Sequence, residues 1–201
     1  MPDTGAPWNI PYVAGTDLVS DWPTDSQTLA TAIADGLDAA NLGIGTNVVQ
    51  TVKTDTFSTT SSSFTPVTGL SATTTPSSAT SLILVVSDVK ISSSAVANLS
   101  AHLRIAGGNA GNYVGDAASS RIQSASSWTY NSTGLEFAQS PVPTFAFYLD
   151  APATASSVTY SIEVCRGSTS GTVWVNKANM DSDSANTART ASSLTVIEVA
   201  P

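Results

Sequence analysis

Few side chains in this sequence have the chemistry of a catalytic group, and their spacing does not assemble a catalytic site. His102 is the only histidine, it is predicted to point outward beside Arg104, and no Gly-x-Ser-x-Gly elbow occurs. Glycoside cleavage needs two carboxylates held across a bond, and the sequence pairs no two of Glu136, Asp150 and Glu163 in that way. We therefore predict that the protein is not an enzyme and has no catalytic residue.

Binding sites for metals and cofactors are equally weakly indicated. Asp181 and Asp183 offer oxygen ligands of the kind that calcium takes, but the glycine and distal glutamate of an EF-hand loop are missing. A polar turn is favoured there, and ion binding by this pair is left open. The single cysteine, Cys165, cannot complete a zinc site with one histidine. The glycine-rich stretch 107–112 lacks the Lys-Ser/Thr of a phosphate loop and predicts a turn. We expect no cofactor and no metal.

One aromatic stretch has the composition of a sugar-binding site. Trp128, Tyr130 and Asn131 lie among serines, where rings could stack on a pyranose and the amide could bond its hydroxyls. The same aromatic residues could instead cover the hydrophobic core of the protein. Core covering is the favoured interpretation, and glycan contact by these three residues stays open.

The composition alone excludes several classes of binding partner. The 201 residues (20.5 kDa) include 31 Ser and 27 Thr, whereas only 11% of the residues are charged. A net charge of −8 disfavours a nucleic-acid groove or a patch for anionic lipids, both of which need clustered Lys and Arg. No apolar run reaches the length of a membrane span, and the start lacks a secretory signal, so we expect synthesis in a cytoplasm without membrane insertion.

The charge distribution divides the chain into residues 1–45 and 46–201. The first part holds six aspartates and no Lys or Arg, and its prolines predict an extended beginning. An extended arm cannot bury large apolar side chains by itself, so we predict that this arm docks on a larger assembly and is steered toward a basic surface. The predicted docking residues are Trp8, Ile10, Tyr12, Leu18 and Trp22.

A single short helix is predicted from about Asp25 to about Ala40. Thr24 and Gln27 have the spacing of a capping box at its start. Leu29, Ile33 and Leu37 form one apolar stripe with four-residue spacing. This stripe could pack on its own domain, associate around a three-fold axis or dock on another protein.

From residue 46 onward the apolar period changes to two, which predicts eight to ten strands in an antiparallel β-sandwich or jelly roll. Alternating segments include 99–105, 145–149, 158–165 and 194–199. The run 82–86 is apolar on both faces, so either a neighbouring subunit covers it or it lies centrally in a sheet beneath a loop. Oligomerisation is favoured, and Leu82, Leu84 and Val86 are predicted to contact other subunits.

Three stretches carry a resemblance to a known group. They are residues 11–19 followed by the alanine- and aspartate-rich helix, residues 49–58 continuing through 64–70 to 75–78, and residues 171–177 with 181–183 and 189–199. In these stretches the chain resembles the virion structural proteins of tailed bacteriophages, particularly tail-fibre and head-fibre proteins with a short anchor and a β-sandwich knob. Unlike many fibres, it has no repetitive shaft between helix and first strand.

The resemblance implies a homotrimer in the virion, attached through its N-terminal arm to capsid, portal or tail proteins, with a knob similar to the tumour-necrosis-factor jelly roll. The missing shaft favours a head decoration or short fibre protein that displays its knob for host adhesion. One alternative is a receptor-binding tail-fibre adhesin for a host polysaccharide, and another is a polysaccharide depolymerase.

Overall fold

The computed structural model describes residues 22–39, 47–94, 99–129, 141–167 and 170–199. The chain divides into two compact units, Met1–Ile44 and Gly45–Pro201. The first contributes one described helix, α1 (Trp22–Ala39), and the described part of the second contains ten strands. The strands are β1 (Val48–Lys53), β2 (Phe57–Thr59), β3 (Thr65–Thr74), β4 (Leu82–Ser93), β5 (Ser100–Ala106), β6 (Ser126–Thr129), β7 (Val142–Asp150), β8 (Val158–Arg166), β9 (Val173–Val175) and β10 (Ser192–Val199).

The strands form two antiparallel sheets. The first sheet has the order β1-β10-β4-β7, with the short strands β9 and β2 continuing from the end of β4, and the second has the order β3-β8-β5-β6. The eight strands other than β2 and β9, divided in this way between two facing sheets, give a jelly roll. The predicted mainly-β fold, an antiparallel sandwich with one short helix, is therefore confirmed.

One hydrophobic core lies between the sheets, and the period-two alternation creates it. In β5 the buried residues Ala101, Leu103 and Ile105 alternate with half-exposed polar ones, as the sequence predicts. In β8 the inward residues are Tyr160, Ile162 and Val164. Because successive strand residues point to opposite faces, each such strand buries one row of side chains and leaves most of the other row outside. Cys165 in the outer row of β8 is an exception, since it is fully buried.

Helix α1 begins three residues before its predicted start. The prediction that Thr24 caps the helix from outside is therefore wrong, because Thr24 already lies in the first turn and its carbonyl accepts a hydrogen bond from the Thr28 hydroxyl at 2.8 Å. Pro23 fits the first turn, where an amide hydrogen has no helical partner to lose, so the helix extends back to Trp22.

A buried carboxylate fixes the turn after β5 against the other sheet. Asp150 is fully buried at the end of β7, and its Oδ2 accepts a hydrogen bond from the Tyr160 hydroxyl at 2.6 Å. The Asn109 amide donates to both carboxylate oxygens at 3.1 and 3.2 Å. Gly108, at φ +50°, is required here because a Cβ would lie 2.1 Å from Asp150 Oδ2. Burial and the bond to Asp150 raise the pKa of Tyr160.

Glu198 joins β10 to the turn before β4 in a similar way. Its side chain is buried, and Oε1 accepts hydrogen bonds from both the amide and the hydroxyl of Ser77 at 2.6 Å. Burial alone would raise the pKa of Glu198, but hydrogen bonds from Ser77, Ser81 and Asn47 outweigh it and lower the pKa.

Candidate assembly surface

The outer face of the first sheet is the most unusual surface of the described residues, because it is built largely of apolar side chains. Strand register places residues of β1, β10, β4 and β7 side by side in rows that cross the sheet. The three rows are Val48–Ile197–Leu84–Leu149, Gln50–Thr195–Val86–Phe147 and Val52–Ser193–Asp88–Phe145. We call the side chains of these rows, together with Leu82, Val199 and Lys90 on the same side, the outer face.

Large apolar side chains on the outer face are about half exposed. The exposed fraction is 54% for Val48 and Val52, 49% for Phe145, 54% for Phe147 and 50% for Leu149. Single exposed apolar residues are ordinary on a protein surface, but a contiguous group marks a contact surface. These five residues lie on the two edge strands, β1 and β7, and flank the half-buried side chains of β10 and β4 at the centre of the sheet.

Strand β7 contributes the largest of these side chains because its small and polar residues face the core and its large apolar residues face outward. Its small and polar residues Thr144, Ala146 and Asp150 point into the core, whereas Phe145 and Phe147 point outward. Ala146 lies opposite Ser87 on β4, and the Ser87 hydroxyl donates to the Ala146 carbonyl at 3.1 Å. Both residues of this pair are small and buried, so the inner side of β7 is packed without a phenylalanine at this position.

The two phenylalanines are already partly ordered by their neighbours. Their rings stack with centroids 6.3 Å apart, and Lys90 Nζ lies 5.8 Å from the centroid of Phe145. Lys90 also forms an ion pair with Asp88, two residues before it on the same face. Side chains held in this way lose less conformational freedom when a partner covers them.

The outer face of the second sheet has the opposite character. The hydroxyls of Thr73 and Thr159 are hydrogen-bonded at 2.8 Å, and Arg104 Nε donates to Glu163 Oε2 at 2.7 Å. Exposed Ser127 continues this polar surface on edge strand β6. The sandwich therefore has one polar face and one apolar face.

The residues predicted for trimer contacts divide between the two units. Leu82, Leu84 and Val86 lie on the outer face, on a central strand, where β10 and β7 flank them and leave them half buried. In α1, Leu29 is half buried and Ile33 is 45% exposed. The side chain of Leu37 lies outside the described residues, so the helix stripe stays a prediction.

Most of the predicted docking arm lies outside the described part of the chain. This holds for Trp8, Ile10, Tyr12 and Leu18, and for the side chain of Trp22, whose backbone begins α1. Arm docking therefore stays a prediction.

Among the predicted glycan residues, only Trp128 is described. It lies on β6, half buried against the core, which is the core-covering arrangement favoured above. Tyr130 and Asn131 lie outside the described residues. The ring of Tyr113, which is 38% exposed, stacks on the half-buried ring of Tyr148 with centroids 5.3 Å apart.

The candidate catalytic groups do not converge. His102 is half buried, which lowers its pKa, and a Cβ on neighbouring Gly167 would lie 2.5 Å from His102 Nε2. Glu163 points out of β8, whereas Asp150 binds the inward Tyr160 of the same strand, so β8 separates the two carboxylates. Glu136 lies outside the described residues.

The acidic pair considered for ion binding is split between two roles. Asp181 accepts two hydrogen bonds from Arg189 at 2.8 and 2.5 Å, and Lys177 Nζ lies 3.6 Å away. Asp183 is exposed and lines a cleft of about 310 Å³ with residues 181–184 and 187–189. Over the described ranges, no three His, Cys, Asp or Glu residues group in a way that could hold a metal.

Sequence reasoning recognised β7 as a half-buried strand but did not select Phe145, Phe147 and Leu149 as surface residues. Alternation defines the period of a strand but not the side that faces the core when both sides carry apolar residues. The polar residues Asp150 and Thr144 of the same strand did not indicate which side faces the solvent, since both are buried.

No protein-family model matches the chain, and no curated protein matches it. Within the described residues, no helix combines the length and the hydropathy needed to cross a membrane.

Proposed function

We propose that the chain is a structural protein of a bacteriophage particle, a short trimeric fibre or decoration protein. Its N-terminal arm would attach it to capsid, portal or tail proteins, and its jelly-roll domain would be displayed on the particle for adhesion to the host. The function is burial of surface between proteins, and it needs no cofactor.

The observation that carries this proposal is the apolar outer face. Exposed Phe145, Phe147 and Leu149 at one edge of the face, with Val48 and Val52 at the other edge, are what an assembly protein needs and what an isolated monomer would avoid. The resemblance of the chain's three stretches to tailed-phage virion proteins supports the particle as the place of assembly. The six aspartates of residues 1–45, without a basic residue, suit attachment to a basic surface of that particle.

Immunogold electron microscopy on purified particles tests the proposal. Antibodies raised against residues 46–201 should label a defined position on the particle, and particles that lack the protein should stay unlabelled. A protein that is absent from purified particles would refute the virion assignment.

Arm attachment is tested by deleting residues 1–24 and measuring incorporation into particles. The account predicts that the shortened chain folds but is lost from particles. Undiminished incorporation would reject the arm as the attachment site.

Adhesion to a host glycan is a second candidate function, and the cleft at residues 181–189 favours it. Hydroxyls of Ser182, Ser184 and Thr187 together with the Asp183 carboxylate offer the polar groups that bind sugar hydroxyls. Binding of purified protein to host polysaccharide, compared with an Asp183→Ala variant, tests this role. An unchanged affinity in the variant would exclude this cleft, and shortening of the polysaccharide would indicate a depolymerase.

A further inference from the structure

We propose that the outer face is the contact between copies of this chain, so that the occupant of the face is a second copy. This inference rests on the proposed function and identifies the surface through which the protein associates. The residues that would carry the contact are Phe145, Phe147 and Leu149 on β7, with Val48 and Val52 on β1.

The exposed area is of the size that a stable contact needs. Fully buried aromatic side chains remove about 150–250 Å² each, so the half-exposed Phe145 and Phe147 still present about 200 Å² together. Adding the exposed parts of Leu149, Val48 and Val52 gives on the order of 500 Å² of apolar surface. A standard interface buries about 800 Å² per partner, and the polar members of the outer face supply the remainder.

The charges favour a second copy over another partner. Of the net charge of −8, −6 lies in residues 1–45, whereas residues 46–201 carry nine acidic and seven basic residues, so the charge of this domain opposes a second copy only weakly. On the outer face, as far as the described residues define it, the charged side chains are Asp88 and Lys90, and these neutralise each other in an ion pair. Around a three-fold axis, the outer faces of three copies can therefore meet without placing like charges together. A basic partner would instead be attracted to the acidic residues 1–45.

The position of the apolar residues also suits association without rearrangement. They lie on long, regularly paired strands, and the Phe145 and Phe147 rings are already stacked. Contacts made by rigid, preorganised side chains cost less conformational entropy on binding.

The test is the association of the full-length chain in sedimentation velocity runs over a range of concentrations. Phe147→Lys and Leu149→Lys each place a charge in the proposed contact, and Ser127→Lys is the matched control, an exposed outward position on edge strand β6 of the other sheet. We expect both outer-face variants to weaken association by at least about 100-fold, whereas the control keeps wild-type association. Circular dichroism and thermal unfolding establish that each variant is folded.

A second measurement needs no substitution. Hydrogen–deuterium exchange of the wild-type chain should slow in the peptides that contain β7 and β1 as protein concentration rises, while exchange in β6 stays constant. This readout tests the face even if a lysine variant fails to fold.

Two results would overturn the inference. Wild-type association in both outer-face variants, with exchange in β7 independent of concentration, would place the contact elsewhere. A wild-type chain that is monomeric, and that associates only after residues 1–21 are deleted, would identify the arm as the occupant. Particle labelling is measured separately, so either result could overturn the face while leaving the virion assignment intact.

Discussion

Replacing Tyr160 by phenylalanine tests how the jelly roll closes around its buried carboxylate. The substitution removes only the hydroxyl that donates to Asp150 at 2.6 Å, and it leaves the ring in the core. Asp150 then keeps only the Asn109 amide as a described donor. A hydrogen bond to a charged group contributes about 1.5–3 kcal/mol, so we expect the free energy of unfolding to fall by about that amount.

The assay is urea unfolding at fixed protein concentration, because association would otherwise change the apparent stability. For a chain of this length, about 2 kcal/mol corresponds to a lowering of the melting temperature by roughly 4–8 °C. Tyr148→Phe is the matched control, since it removes a hydroxyl from a half-buried tyrosine of the same core. The control should lose less than about 0.5 kcal/mol.

The same variant has a defined pH dependence. The pKa of Tyr160 is raised in the folded protein above its unfolded value of about 10, so the stability that it contributes is complete below that pH. As pH rises further, the unfolded chain releases the proton while the folded chain holds it, and this stability is lost. The difference between wild type and Tyr160→Phe should therefore be constant below about pH 9 and shrink as pH rises above about 10. A Tyr160→Phe variant as stable as Tyr148→Phe, at every pH, would refute the reasoning.

Three further predictions concern single positions. Glu198→Gln should lower the free energy of unfolding by about 1–2 kcal/mol at pH 7 and by less toward pH 3. The reason is that the lowered pKa of Glu198 gives stability that is lost as pH falls. Equal shifts of the urea midpoint at both pH values would contradict this prediction. Gly108→Ala should destabilise the protein by more than about 1 kcal/mol in thermal unfolding, since it places a Cβ against Asp150 at a residue with positive φ. Gly36→Ala should instead raise the helical circular dichroism signal, because nothing lies within 4 Å of the added Cβ. Cys165 should resist a thiol reagent at pH 8 until the protein is unfolded, because burial raises its pKa to about 11; rapid labelling of the native chain would show that the thiol is accessible.

The sequence predicted the sandwich well because its strands alternate clearly. In β5 the polar positions, such as His102 and Arg104, could face only outward, so the sequence predicted both that the segment is a strand and which side of it is buried. In β7 both sides carry large residues, and the buried side is the one on which Ala146 lies opposite buried Ser87 of β4. Such pairing is a tertiary property that no local pattern contains.

Boundaries and short elements were less predictable for similar reasons. Thr24 and Gln27 have the spacing of a helix start, but Pro23 allows the helix to begin earlier. The three-residue strands β2 and β9 are too short to show a period and form by pairing with each other and with the end of β4. The outer face was anticipated through the doubly apolar segment 82–86, which the structure places at its centre.

The mass of the purified full-length protein, measured by light scattering at micromolar concentration, tests the central claim that this chain works by burying its apolar face in an assembly. For the proposed trimer the account predicts three times 20.5 kDa, or 61.5 kDa. A stable species of 20.5 kDa would contradict it.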